Sequence, residues 1–300
     1  MLAKLKELLG ATAAPSKVNL ERRFTILAET SQGSMSKVFR AIDNKTGRNI
    51  CLKVHIPEKN DAAAARACRE DRPSEGEITA AVVHPNVSKV LDFGLSTNRE
   101  HFLVMEYVDG FSLQYIRENK SLPKLRHKLE ILAQTAEALS AVHAAGFIHH
   151  DINPGNILVD RDKHVTLIDF GLAVPNTPAF RKPGNRTGAL KYMAPELIRR
   201  EPIDEGIDIF AFGVLAYEFL TDKLPYDASS SMASMLGRIN QDPIDPYKAN
   251  PNLPPPLIDL LRSLIARRKT DRCKSLSQVP AALRAIAPKI LATPPATDRA

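Results

Sequence analysis

The sequence lacks the features that mark disulfide-rich, zinc-binding and membrane-spanning proteins. Its 300 residues contain three cysteines, and neither their odd number nor their spacing fits a disulfide framework or a zinc site. No run approaches eighteen consecutive apolar residues, so no membrane span is expected. The start, MLAKLKELLG, is too short and too charged for a signal peptide. These absences predict a cytoplasmic protein.

The charge gives no sign of a nucleic-acid partner either. The net charge of +7 comes without the basic runs that mark a nucleic-acid-binding arm. Hydrophobic residues make up 44% of the chain and charged residues 25%, the balance of an ordinary globular protein. We therefore expect a globular chain with a sizeable core and no bound nucleic acid.

The local patterns divide the chain into a β-rich front and an α-rich back. The front carries five short β runs, interrupted at 61–83 by a stretch of helical composition in which Pro73 is a candidate first helical residue. The back carries helical periodicity, at 123–145, 206–221, 230–240, 256–266 and 277–287. A β-rich part followed by a helical part predicts an α+β chain with two lobes.

These patterns also set the expected boundaries. Residues 1–21 form an N-terminal extension, and 289–300, which are polar and rich in proline, form a disordered tail. The β-rich N-lobe, with one main helix, covers 22–107, and the α-helical C-lobe covers 108–288.

Candidate chemistry lies in the run GFIHHDINPGNILVD, residues 146–160, called the catalytic loop below. Asp151 and Asn156 are five residues apart, and Asp169 follows inside TLIDFGLA. This pattern resembles the HxDxxxxN and DFG pair of the protein kinase family. The resemblance implies that Asn156 and Asp169 bind a metal on the nucleotide phosphates, and that Asp151 is the catalytic base.

The order of further motifs is similar to that family over residues 22–288. Lys53 resembles the lysine that holds the α- and β-phosphates, and Glu75 resembles its helix partner, with Glu77 and Glu70 as alternatives. The remaining nucleotide contacts implied by the resemblance are the glycine-rich loop at Gly33, the hinge backbone at Glu106 and Val108 after the gatekeeper Met105, and the adenine-facing side chains of Val38, Cys51 and Leu158.

The back of the chain continues the resemblance. Ala194-Pro195-Glu196 is similar to the APE motif, and Asp208 begins a helix that in the family braces the catalytic loop. The resemblance implies that Arg272 pairs with Glu196. A second DFG, which begins at Asp92, has no catalytic loop before it and is interpreted as strand and turn.

Several residues of the motifs are expected to have structural roles. His149 is interpreted as a packed core histidine, and Phe170 as a packing residue. Cys51 is not expected to be a reactive thiol.

Three departures from the family pattern concern activity. The glycine-rich loop keeps only its middle glycine, which predicts weaker nucleotide binding. Asn153 stands in place of the loop lysine and Ala189 in place of a threonine that contacts it, which predicts slower transfer. His150 replaces the arginine that receives an activation-loop phosphate, so activity is expected not to depend strictly on phosphorylation between Gly171 and Ala194.

The resemblance implies a protein kinase that uses ATP and Mg²⁺, with Mn²⁺ as an alternative metal. The proline of DINPGN is more similar to serine/threonine enzymes than to tyrosine enzymes. Two alternatives stay open: a pseudokinase that binds nucleotide or acts as a scaffold, and a small-molecule kinase, because HHDINPGN also resembles the loop of aminoglycoside and choline kinases.

Overall fold

A computed structural model describes residues 17–32, 36–56, 72–182, 188–226 and 237–291. The chain divides into two compact units. The first unit runs to Val83 and resumes over Ser88–Asp109; the second takes His84–Val87 and the described residues from Gly110 onward. A mixed α+β fold with a sheet-rich and a helical part was predicted correctly.

The first unit is built on a five-stranded antiparallel sheet of order β1-β2-β3-β5-β4. Its strands and helices are α1 (Leu20–Arg23), β1 (Phe24–Gln32), β2 (Ser36–Asp43), β3 (Arg48–His55), α2 (Glu75–Ala81), β4 (Val90–Leu95) and β5 (His101–Glu106). Apolar residues of four strands form a buried core on one face of the sheet: Phe24, Ala41, Ile50, Leu52, Phe102 and Val104.

Val18, in the expected N-terminal extension, bridges to Ser96. One detail of the first unit differs from the sequence-based expectations. Pro73 is not the first helical residue, because Ser74 is the N-cap of α2 and Glu75 opens the helix. Asp92 of the second DFG lies within β4, as predicted.

The second unit is mainly helical and contains two small antiparallel sheets, β6-β8-β9 and β10-β7. Its α-helices include α3 (Leu113–Glu118), α4 (Leu125–Ala144), α5 (Pro195–Ile198), α6 (Gly206–Thr221), α7 (Pro246–Ala249), α8 (Pro255–Leu264) and α9 (Val279–Leu291). The strands are β6 (Gly110–Ser112), β7 (Phe147–Ile148), β8 (Ile157–Asp160), β9 (Val165–Leu167) and β10 (Val174–Pro175), with 3₁₀ turns at Pro154–Asn156 and Leu190–Tyr192.

Helix α6 is the centre of the second unit. Every residue from Gly206 to Leu220 is buried, which is the pattern of a helix that is packed on all sides. The predicted apolar stripe of α4 is buried as well, and Arg284 of α9 binds Glu130 and Glu137 of α4. Helix α9 extends to Leu291, past the boundary expected at 288. Of the predicted helix at 230–240, only 237–240 lies among the described residues, and it is helical.

No helix in the described part of the chain is long and apolar enough to cross a bilayer.

Candidate active site

Lys53 and Glu75 form a buried ion pair in the first unit. Lys53 lies in β3, directly opposite Val38 of β2, and its Nζ is 2.8 Å from Glu75 Oε1. Each of the two side chains is only 7% exposed. The second carboxylate oxygen of Glu75 is 3.3 Å from Nε2 of His55, two residues along the same strand. Since alternate residues of a strand share a face, Lys53 and His55 approach Glu75 from the same side of the sheet.

The N-terminus of α2 explains why Glu75 and not Glu77 reaches the lysine. Ser74 caps the helix by accepting a hydrogen bond from the Glu77 amide, and the Glu77 carboxylate accepts hydrogen bonds from the Ser74 amide at 2.7 Å and its hydroxyl at 2.8 Å. This capping box commits Glu77 to the helix end. Glu70, the other alternative, lies outside the described residues.

The residues predicted to contact adenine fall in both units. In the first unit, burial raises the pKa of the Cys51 thiol to about 11, so the group stays protonated at neutral pH, in agreement with its expected lack of reactivity. The Glu106 amide donates to the Lys89 carbonyl at 3.0 Å. Met105 is buried in β5. Gly33 lies outside the described residues.

The remaining two predicted adenine contacts are placed by secondary structure alone. Val108 is the second residue after the end of β5, in the first unit. Leu158 lies in β8 of the second unit, opposite Thr166.

In the second unit, Asp151 and Asn156 are bound to each other. Asn156 Nδ2 donates to Asp151 Oδ2 at 3.0 Å and to the Asp151 carbonyl at 2.8 Å. The Asn156 carbonyl in turn accepts the Ile168 amide at 3.0 Å, one residue before Asp169. These bonds bring the three predicted residues of the catalytic loop and the DFG segment into one cluster.

Asp169 has a left-handed backbone, with φ of 63°. Aspartate tolerates this region better than most residues, and here its Oδ1 also accepts the Gly171 amide at 3.1 Å. The next residue, Phe170, is fully buried with its ring centroid 4.7 Å from that of His149. Burial lowers the pKa of His149, which keeps the imidazole neutral, so both residues have the packing positions that were expected.

Asp208 ties the catalytic loop to helix α6. Its carboxylate accepts the backbone amides of His149 at 2.7 Å and His150 at 2.9 Å, and it contacts His143 Nε2 at 2.9 Å. Burial acts to raise the pKa of Asp208, but the hydrogen bond and charge of His143 and the His149 contacts outweigh it, so the pKa is lowered. The bracing role expected of Asp208 is confirmed by these bonds.

Glu196 and Arg272 form the pair that the resemblance implied. The guanidinium binds both carboxylate oxygens, at 2.6 and 3.1 Å, and both side chains are almost fully buried. Arg272 also donates to the Gly206 carbonyl at the start of α6. A two-pronged contact of this kind is among the strongest that charged side chains make.

The two departures near Asp151 have clear local structures. Asn153 caps the 3₁₀ turn that follows it, since its Oδ1 accepts the Gly155 amide at 2.9 Å and its Nδ2 donates to the Asp151 carbonyl at 3.2 Å. The Ala189 amide donates to Asp151 Oδ1 at 3.0 Å. Thus a backbone group contacts the carboxylate on the side opposite Asn156.

Some contacts of this site were not predicted. His55 and His143 carry no signal beyond being single histidines in apolar segments, and their roles depend on partners 20 and 65 residues away. Gly188, which precedes the Ala189 amide, has φ of 97°. The only signal for this conformation in the sequence is the residue type, because glycine adopts a positive φ more readily than other residues.

Comparisons with known proteins agree with this geometry. Residues 24–282 match the family model described as protein kinase domain. The chain is similar to the probable serine/threonine-protein kinase pknA2 of Bifidobacterium longum, with 30% identity over 88% of this chain and 36% of that protein. It is 31% identical to the serine/threonine-protein kinase PknA of Mycobacterium tuberculosis, over 86% of this chain and 60% of that protein.

A third relative is the serine/threonine-protein kinase pkn3 of Myxococcus xanthus, with 30% identity over 88% of this chain and 50% of that protein. The chain therefore spans between about a third and three fifths of the length of these relatives. The match to the family model covers most of the chain and includes the ion pair, the catalytic loop and the braces described above. The chain belongs to the protein kinase family.

Proposed function

We propose that this chain transfers the γ-phosphate of ATP to serine or threonine hydroxyls of a protein substrate. The observation that carries the proposal is the hydrogen bond from Asn156 Nδ2 to Asp151 Oδ2, with the Asn156 carbonyl bonded to the residue before Asp169. A carboxylate fixed beside an amide and a second carboxylate is what in-line phosphoryl transfer needs: a group to orient the hydroxyl and oxygen ligands for a metal.

In this proposal Asp151 accepts the proton of the substrate hydroxyl. The hydroxyl oxygen forms a bond to the γ-phosphorus, the bond from that phosphorus to the β–γ bridging oxygen breaks, and ADP leaves. Lys53 binds the α- and β-phosphates as a cation whose position is fixed by Glu75. His149, which is buried and neutral, packs against Phe170 and takes no part in proton transfer. This contact joins the catalytic loop to the DFG segment.

Asn156 and Asp169 fit a magnesium ion in donor type. Because Asn156 Nδ2 is committed to Asp151, the amide oxygen on its other side is left for a cation, and Asp169 adds a carboxylate. Mg²⁺ prefers such oxygen donors and would neutralise charge on the phosphates, and Mn²⁺ uses the same ligands. No group of three or more His, Cys, Asp or Glu side chains arranged for a metal occurs in the described ranges.

The test is transfer of labelled phosphate from ATP to a generic protein substrate in the presence of magnesium. We expect transfer by the wild-type chain and none by Asp169→Ala or Lys53→Met. The second DFG supplies a matched control: Asp92→Asn changes the same motif at a strand position that binds Arg23, and should keep activity. Equal transfer by wild type and Asp169→Ala would overturn the proposal.

The two alternatives predict different results in the same assay. A pseudokinase would bind ATP without transfer, a reading favoured by Asn153 and Ala189. A small-molecule kinase would phosphorylate no protein, although the Glu196–Arg272 brace supports a peptide-docking segment that such enzymes generally do without.

We propose the cytoplasm as the location of the chain. The described cysteines, Cys51 and Cys273, are free thiols, which supports a reducing compartment. The expected absence of a nucleic-acid partner stays a prediction.

A further inference from the structure

The Asp151 carboxylate is held from two sides within the second unit. Asn156 donates to Oδ2 at 3.0 Å, and the backbone N–H of Ala189 donates to Oδ1 at 3.0 Å. Each oxygen thus receives one donor and keeps a further lone pair, since a carboxylate oxygen has two acceptor sites. Two donors on opposite oxygens fix both the tilt and the rotation of the carboxylate.

The side chains near Asp151 do not supply this second donor. The side chain of Ala189 has no polar atom. The Asn153 side chain accepts a hydrogen bond from the Gly155 N–H and donates one to the Asp151 carbonyl. Among the described residues, Ala189 N–H and Asn156 Nδ2 are therefore the donors recorded on the Asp151 carboxylate. The backbone of the segment before the APE motif contacts the base directly.

Gly188 allows this close approach. Its φ of 97° is a conformation that residues with a Cβ rarely adopt. A Cβ added there would lie 2.8 Å from the His150 carbonyl oxygen and 3.3 Å from Asp151 Oδ1. Any side chain at 188 would push the Ala189 amide away from the carboxylate.

The Ala189 amide is itself anchored. The Ala189 carbonyl accepts the Tyr192 amide at 2.9 Å in the 3₁₀ turn, and the Tyr192 hydroxyl donates to Glu218 of α6 at 2.5 Å. The Leu190 carbonyl accepts a hydrogen bond from the buried Arg238. The amide is thus presented by a turn that is fixed to the helical core, as a preorganised donor must be.

We propose that the Gly188–Ala189 peptide group positions the catalytic base in this chain, replacing with a main-chain N–H the side chains that are missing at 153 and 189. This inference rests on the proposed function, because it assigns Asp151 the role of base. Ala189 acts through Asp151, so it is a positioning residue. Its loss should slow the chemical step and leave binding of ATP and peptide unchanged.

The direct test removes this one N–H. In the full-length chain, Ala189→lactic acid, introduced by nonsense suppression, replaces the amide by an ester of the same shape. We expect kcat to fall about 10- to 100-fold, the range for losing a hydrogen bond to a charged group, with KM for ATP and for peptide within about twofold of wild type. The matched control is the corresponding ester at Tyr247, whose N–H also donates to a carboxylate, Asp245 Oδ1 at 2.8 Å in the N-cap of α7, and it should keep kcat within about threefold.

A second pair of variants tests the same contact by steric means. Gly188→Ala should lower kcat at least as much as the ester, because of both its φ and the close His150 carbonyl. Gly47→Ala introduces the same kind of backbone strain at a φ of 69° in a turn where a Cβ meets nothing within 4 Å, and should keep kcat.

The outcomes separate the two proposals. A wild-type chain that transfers no phosphate contradicts the proposed function and this inference with it. An active wild type with an Ala189 ester of unchanged kcat contradicts the inference alone, as does an ester that raises KM while kcat is kept.

Discussion

His150 stands at the position where the family pattern has an arginine that receives an activation-loop phosphate. A guanidinium offers a fixed fork of donors to a phosphate dianion, whereas an imidazole offers at most one donor from each ring nitrogen. Here the His150 amide is held by Asp208, and the neighbouring Asp151 is held by Asn156 and by the Ala189 backbone. The proposed base is thus held by bonds that need no phosphate.

We predict that activity survives complete dephosphorylation. The purified chain is treated with a broad-specificity phosphatase, loss of phosphate between Gly171 and Ala194 is verified by mass spectrometry, and the initial rate of transfer is measured. The rate should stay within about twofold of the untreated chain. Loss of transfer after phosphatase treatment would refute the prediction.

Side-chain contacts of the candidate site could be predicted from the sequence, whereas a backbone contact could not. Lys53, Glu75, Asp151, Asn156 and Asp169 could be named because each role requires a particular side chain. The Ala189 contact could not, since a backbone N–H is the same in every residue except proline and leaves no side-chain signal. For Glu75 the sequence left Glu77 and Glu70 as alternatives, and the capping box shows that the Glu77 carboxylate is bound to the helix end.

At the scale of helices and strands, the buried pair of Glu196 and Arg272 joins the start of α5 to the segment after α8. Arg272 also reaches the Gly206 carbonyl and lies over the Phe210 ring, so it contacts the first turns of α6. Removing one charge of such a pair leaves the other buried without compensation.

We predict that Glu196→Gln destabilises the chain by roughly 3–5 kcal/mol, the cost of an uncompensated buried charge, measured by urea unfolding. Glu201→Gln is the matched control. The Glu201 side chain is 49% exposed and its Oε1 lies 3.8 Å from Arg199 Nη1, and a surface ion pair of this kind contributes little to stability. Equal unfolding midpoints for the two variants would show that the buried pair does not brace the fold.

Helix boundaries were predictable where periodicity was strong. The predicted range 206–221 coincides with α6. The predicted range 123–145 exceeds α4 by two residues at its start and one at its end. Apolar periodicity over many turns has few alternative interpretations. The shorter α2 was harder: Pro73 suggested the start, but Ser74 offered a better cap with Glu77 three residues on.

At the scale of the whole molecule, the two units carry different parts of the proposed site. The first unit carries the Lys53–Glu75 pair, for which we propose nucleotide binding, and the second carries Asp151, for which we propose the chemical step. Two-lobed α+β architecture could be predicted from the order of β and helical patterns, whereas the assignment of His84–Val87 to the second unit could not. That assignment depends on long-range bonds such as Asn86 to the Val165 carbonyl.

The most direct measurement is therefore a comparison of ATP binding and single-turnover transfer for Lys53→Met and Asp151→Asn. We predict that Asp151→Asn binds ATP with the wild-type Kd and loses transfer by about 10³-fold or more. Lys53→Met should lose transfer and also bind ATP more weakly. Transfer by Asp151→Asn at the wild-type rate would contradict the claim that this carboxylate is the base.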